Sequence, residues 1–311
     1  MLNLVGKRYW FFLLSAIIVI PGLISLLIPP GLRKGVEFTG GAEMTFRFEK
    51  PVEQSNLRQA LADLGYADTI IQRTGTGDFI VRTRGITEEV ITSEEKDKME
   101  QGLRDRFGPM DELDFFAVSP LIAVEVVKAA IIAVVAASIG ILIYIAFAFR
   151  KMPRPWRYGT AAVIALIHDV LVVVGIFSIL GKFFNTQVDA LFITAILTVV
   201  GYSVNDTVVV FDRIRENMSK GVSKVFEVVV NRSLVETLAR SLNTTLTTLI
   251  TIAALFLFGG VTIRTFTLAL LIGITSGAYS SFYNAATLMV VWENKEWKTW
   301  FKRRESRSIG T

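Results

Sequence analysis

The stretch GYSVNDTVVVFDRIREN, residues 201–217, decides how this chain is read. It continues an apolar run long enough to cross a membrane, yet it carries an acid, Asp206, near the end of that run. Ionised side chains inside bilayer-spanning helices cost roughly 2.5–3.5 kcal/mol each on insertion scales, so they mark an ion path or a buried pair. The charges that follow, Asp212, Arg213, Arg215 and Glu216, read as a solvated cytoplasmic extension and a topology signal.

Working outward, the same pattern repeats. The chain has 311 residues, 52% of them hydrophobic, and the apolar residues gather in six blocks. These lie near 10–28, 129–149, 158–180, 188–211, 238–258 and 266–292. Each is close to the roughly 20 residues a helix needs to cross about 30 Å of hydrocarbon. The first block follows Lys7 and Arg8, as a signal peptide would. Its long core and its Ile28-Pro29-Pro30-Gly31 exit lack a small-residue cleavage pattern, so it reads as a retained anchor. The expected fold is an α-helical polytopic membrane protein with six transmembrane helices. Its parts are a cytoplasmic N-terminus and first helix (1–28), an external domain (29–128), helices two to six (129–292) and a basic tail (293–311).

Charge assigns the orientation. The chain holds 33 basic and 28 acidic residues. Acids outnumber bases between Arg33 and Lys128, and the reverse holds elsewhere. Basic clusters at Lys7–Arg8 and in 150–157, 213–232 and 295–307 alternate with short connections carrying only Lys182 and Arg264. The positive-inside rule then puts both termini in the cytoplasm and the 29–128 domain outside. Cysteine is absent, which excludes a disulfide framework and thiol chemistry. No basic patch on a folded surface suggests a nucleic-acid partner.

The external segment has a soluble pattern. AEMTFRFEK (42–50) alternates as a strand does, and 52–64 reads as an amphipathic helix ended by Gly65. DTIIQRTG and DFIVRTRG flank Gly75-Thr76-Gly77 as a hairpin. Residues 93–107 read as a helix capped by Ser93, with Lys96 where a capping box needs Glu or Gln. Residues 113–118 close as a strand. The order is the ferredoxin-like βαββαβ of a small α+β domain. No metal cluster and no nucleophile–base set appears, so the chain is not expected to be an enzyme. Before the first strand, GVEFTGG (35–41) places Gly35, Glu37, Gly40 and Gly41 where backbone packs tightly near the membrane surface.

Inside the membrane, polar residues fall in stripes. Helix three holds His168, the one histidine, and Asp169; neighbours on a helix point about 100° apart, which makes them poor direct partners. Asp169 either holds the packing through hydrogen bonds or handles ions. Helix four aligns Thr194, Thr198, Gly201, Tyr202 and Asn205, with Asp206 beside them. Helix five aligns Arg240, Thr244, Thr247, Thr248 and Thr251, with Asn243 alongside. Arg240 stays charged at any relevant pH, and Asp206 is expected at a matching depth as its partner. Helix six carries Ser276, Tyr279, Ser280, Tyr283, Asn284 and Thr287 along one side, and Gly273-x-x-x-Gly277 allows close helix approach. Helix two is almost wholly apolar and reads as peripheral.

Together these residues resemble the SecD/SecF family of the bacterial Sec protein-export machinery. The resemblance covers nearly the whole chain and rests on GVEFTGG (35–41), HDV (168–170), residues 201–217 and RSLNTTLTT (240–248). Glu37 stands where the family usually has Asp, which keeps the charge. The resemblance implies the resistance-nodulation-division superfamily and the bacterial cytoplasmic (inner) membrane. It implies a partner, SecD, with a pseudo-symmetric second set of six helices. It further implies work beside the SecYEG channel with SecA, possible contact with YajC, a translocating preprotein as client, and use of the proton-motive force. No cofactor is implied. The family's proton-handling positions fall on Asp206 and Arg240, with Asp169 a weaker match, supported by the polar stripe of Asn205, Asn243, Thr244, Thr247 and Thr248. Two rival readings are a proton-coupled small-molecule exporter of the same superfamily and a non-transporting scaffold of the export channel.

Overall fold

A computed structural model of the chain describes residues 2–83 and 91–296. The end of the expected second hairpin strand, from residue 84, and the basic tail beyond Glu296 lie outside the described residues. The first membrane helix is α1 (Arg8–Leu27). A domain follows with α2 (Val36–Thr39), β1 (Gly41–Phe48), α3 (Gln54–Asp63), β2 (Ile70–Arg73), β3 (Phe79–Thr83), α4 (Ser93–Phe107) and β4 (Met110–Val118). Then come α5 (Pro120–Ala148), α6 (Pro155–Phe184), α7 (Ala190–Ser219), α8 (Phe226–Phe258), α9 (Arg264–Tyr279) and α10 (Ala286–Glu293). A wide π-helical turn, Ser280–Ala285, joins α9 to α10, which together make the sixth span. All six spans are long and apolar enough to cross a membrane.

The domain is the expected βαββαβ unit. Its sheet runs β2-β3-β1-β4 with every neighbouring pair antiparallel. Strand alternation sends Ala42, Met44 and Phe46 of β1 into a core with Leu57 and Leu61 of α3 and Met99 and Leu103 of α4. The helix cap differs from the expectation. Thr92, one residue before Ser93, accepts from the Glu95 amide at 3.2 Å, and Glu95 reaches back to the Thr92 amide at 3.0 Å. Moving the cap by one residue brings Glu95 to the third helical position, which completes a capping box.

Helix α5 begins nine residues before the expected block, because Ser119 caps it and Pro120 presets its first turn. As expected, it lies at the edge of the bundle with Ile131, Ile132, Val135, Ile139 and Ile143 exposed. The interior is built by α6, α7 and α9–α10. Small residues allow this close packing. A Cβ on Gly22 of α1 would meet Gly175 Cα of α6 at 2.8 Å, and one on Gly273 of α9 would collide with Val199 Cγ2 of α7. Gly277 packs its backbone on Ser203 in the same seam. The domain is rooted on the loop between α6 and α7. The Gly35 amide donates to the Val188 carbonyl at 2.7 Å, and the Val188 amide donates to the Arg33 carbonyl at 2.8 Å.

Candidate functional site

Asp206 lies on the inner face of α7, which buries Val199, Ser203, Asp206 and Val210 in turn. Its side chain is 3% exposed. Thr245 of α8 donates a hydroxyl hydrogen bond to its Oδ2 at 3.4 Å. Ser241, one turn away on α8, is also buried.

Arg240 does not meet it. Among the described residues no ion pair joins Arg240 to Asp206, and Arg240 stands on the exposed face of α8. The expected depth match fails because of the hairpin's register. Tyr202 meets Thr248 at 3.4 Å, Asp206 meets Thr245, and Asn217 Nδ2 donates to Ser233 Oγ at 2.9 Å. In that antiparallel register Arg240 is five residues past Thr245, or about 7.5 Å along the axis at 1.5 Å per residue. It also points to the other side of the helix.

Instead the two helices build an outward polar face. Arg240, Asn243, Thr244, Thr247 and Thr251 of α8 are exposed, as are Thr194, Thr198, Gly201 and Asn205 of α7. The threonine hydroxyls are satisfied locally: Thr244 donates to the Arg240 carbonyl at 3.0 Å and Thr248 to the Thr244 carbonyl at 3.0 Å. Such i−4 bonds let a helix carry hydroxyls in an apolar setting. A guanidinium and two carboxamides cannot be satisfied this way, so in hydrocarbon this face needs a protein partner or a wet cavity.

Asp169 of α6 forms a second buried centre and is 1% exposed. Ser203 of α7 and Ser280 at the π-helical turn donate to its Oδ2 at 2.6 and 2.7 Å, and Ser276 of α9 donates to Oδ1 at 2.7 Å. His168 Nδ1 lies 3.1 Å from Oδ1. This corrects the expectation that His168 and Asp169 are poor direct partners. The Cβ directions diverge, but the imidazole is long enough to fold back onto its neighbour. Beside this centre, Thr207 donates to the Ser203 carbonyl at 3.2 Å and to Ser281 Oγ at 2.9 Å.

Two features escaped the sequence reading. Arg213, expected on a solvated face, and Asn217 both reach α8: Arg213 Nε donates to Glu236 Oε2 at 2.8 Å and Asn217 Nδ2 to the same atom at 2.9 Å. Their i, i+4 spacing was the available signal. Outside the spans, Glu37 and Asp189 lie together where the domain roots. Asp189 caps α7 by accepting from the Phe192 amide at 2.7 Å. Burial pushes both carboxyls up, the Asp189 charge raises Glu37 further, and the Glu43 charge raises both. Gly35 fits only as glycine, since a Cβ there would meet the Glu37 carboxylate and, at 2.9 Å, the Val188 carbonyl. Gly40 and Gly41, at φ +74° and +126°, make the turn from α2 into β1. Among the described residues no three His, Cys, Asp or Glu side chains group as a metal site would require.

Residues 98–295 match the protein family described as Protein export membrane protein SecD/SecF, C-terminal, and residues 25–52 match the SecD/SecF GG motif. A protein translocase subunit SecF of Thermobaculum terrenum is 51% identical over 100% of both chains. The protein translocase subunit SecDF of Bacillus subtilis is 34% identical over 94% of this chain and 38% of its own length. The crystal structure of SecDF from Thermus thermophilus, described as a translocon-associated membrane protein, superposes with a TM-score of 0.81 at 33% identity. It covers 94% of this chain and 39% of that one.

Proposed function

The chain belongs to the SecD/SecF family of protein export membrane proteins and is a SecDF-type protein translocase subunit, and from that premise we propose that it couples the proton-motive force to Sec-dependent export. Asp206 is the proton-binding carboxyl. Arg240, Asn205 and Asn243 belong to the face that a SecD chain covers. The partner then supplies the carboxylate that Arg240 lacks among the described residues. The assembly works in the bacterial cytoplasmic membrane beside SecYEG, with SecA driving insertion from the cytoplasmic side and with YajC as a possible neighbour. Both termini are cytoplasmic and the α/β domain is outside, an orientation supported by the basic clusters on the short loops. The chain has no catalytic role of its own.

The observation that carries this reading is a buried carboxyl, Asp206, held by two hydroxyls of α8, Thr245 and Ser241, and backed by an exposed polar face. A carboxyl with few donors can gain or lose a proton without dismantling a network. Moving one charge through 100 mV releases about 2.3 kcal/mol, which biases a two-state equilibrium about fifty-fold. The domain's root on the α6–α7 loop gives helix movement a direct lever on the external domain. Export in vesicles containing SecD tests it: Asp206→Asn and Arg240→Ala should lose the gradient-driven component while SecD still copurifies. Normal gradient dependence in both variants would leave only the scaffold reading.

A further inference from the structure

Asp169 and His168 make a centre that the coupling reading leaves without a specific task. An ionised carboxylate only accepts hydrogen bonds, at about four positions on its two oxygens. Ser203 and Ser280 donate to Oδ2, Ser276 donates to Oδ1, and His168 Nδ1 contacts Oδ1. With three hydroxyls donating, the fourth contact closes when Nδ1 carries the hydrogen. The other ring nitrogen, Nε2, is then a bare lone pair. It is buried, and among the described residues it has no hydrogen-bond partner. Buried imidazole nitrogens normally have partners, so this one is an acceptor that the described residues leave unused.

We infer that His168 Nε2 is a proton-binding position in the centre of the bundle, with Asp169 as the fixed anion that orients the ring through Nδ1. The inference rests on the proton-coupling reading and gives the proton a stop before Asp206. The step adds one proton to Nε2 and breaks no other bond; the resulting imidazolium faces the Asp169 carboxylate, so charge is balanced locally. Release restores the neutral ring.

Position supports the assignment. Ser203, which ties Asp169 to α7, precedes Asp206 by about one turn, on the side of the bundle that roots the external domain. Ser203, Thr207 and Ser281 form a hydrogen-bonded cluster beside Asp169, and Thr207 adjoins Asp206 along α7. The titratable groups around the ring are Asp169 on its own helix and Tyr279 on α9, whose ring centre is 6.3 Å away, with Tyr283 a turn further. The neighbours from α1 are uncharged: the Tyr279 hydroxyl donates to the Phe11 carbonyl at 2.6 Å and lies 3.5 Å from Ser15. Ser280, a donor to Asp169, opens the π-helical turn. Such turns concentrate at functional sites in helices, so the hydrogen bonding of the pair sits where α9 can most easily change register.

His168 is the sole histidine in the chain, so nitrogen-15 labelling of histidine reports it alone. Magnetic resonance of the full chain in lipid vesicles should show the hydrogen of the resting ring on Nδ1 and a bare Nε2. A resting ring with its hydrogen on Nε2 overturns the inference. His168→Asn keeps an amide donor where Nδ1 stands and removes Nε2. With SecD copurification intact, it should lower gradient-driven export at least tenfold, and wild-type export in that variant overturns the inference. Asp206→Asn separates the two proposals. Gradient dependence surviving there sinks the coupling reading whatever the histidine signal does; gradient dependence lost there but kept in His168→Asn sinks only the histidine.

Discussion

Thr245, and not Arg240, lies against Asp206: its hydroxyl donates to Oδ2 at 3.4 Å, while Arg240 stands on the exposed face of the same helix. The carboxyl is therefore an internal group of this chain and the guanidinium an external one. That division separates what each substitution should do.

Arg240→Ala should leave the stability of the isolated chain in detergent unchanged within about 0.5 kcal/mol, as for other exposed positions. Its effect should appear only in the assembly, as weaker SecD association or lost gradient coupling. Thermal unfolding of the chain alone, set beside copurification, separates the two. A large loss of stability in the isolated chain would mean that Arg240 has a partner within it.

Gly201 makes the complementary case. A Cβ there meets nothing within 4 Å, although the residue is helical and exposed. Its smallness has no use inside the chain, so it is expected to admit a neighbouring helix. Gly201→Leu should preserve the isolated chain's unfolding temperature and reduce SecD copurification severalfold. Gly22→Leu should do the reverse, costing about 1–3 kcal/mol of chain stability through collision with Gly175.

The root of the external domain should respond to pH. Burial raises both Glu37 and Asp189, and the charges of Asp189 and Glu43 raise Glu37 further. A carboxyl raised in the folded state binds its proton more tightly there than in the released state. Docking is therefore strongest at low pH and weakens as pH rises from about 4, the ordinary carboxylate value, through the raised folded value. Hydrogen exchange at the Gly35 amide, which donates to Val188, should quicken across that window beyond the intrinsic rate. Glu37→Gln should flatten the change, and an unaltered profile in that variant would remove Glu37 from the cause.

The α7–α8 connection should depend more on Asn217 than on the ion pairs around it. Asn217 is buried and donates to both Ser233 and Glu236, whereas Arg232 and Glu236 pair at the surface. Asn217→Ala should cost about 1–3 kcal/mol because it removes a buried hydrogen bond to Ser233 and one to the charged Glu236. Arg232→Ala should cost about 0–1 kcal/mol. Denaturation of the two variants side by side checks the ranking.

Much of this architecture was readable from residue order. The six spans follow from the length of apolar runs, and the domain from strand alternation and the Gly75–Gly77 turn. The polar stripes were visible too, since spacing gives the angle between residues on one helix. Spacing does not give the helix's rotation against its neighbours or the register of a hairpin. Asp206 and Arg240 were therefore matched by depth, while the register pairs Asp206 with Thr245. The Asp169 centre was hidden for a related reason. Ser203, Ser276 and Ser280 come from two other helices and converge only through the seam that Gly273 and Gly277 permit.

Proton-driven export by Asp206→Asn is the most direct measurement of the central claim. The substitution keeps size and can still bond Thr245, but it cannot exchange a proton. Vesicles carrying the chain with SecD and the export channel should show ATP-driven insertion as before and no acceleration when a proton gradient is imposed. Acceleration equal to the unsubstituted chain's, with SecD present in equal amount, would contradict the account.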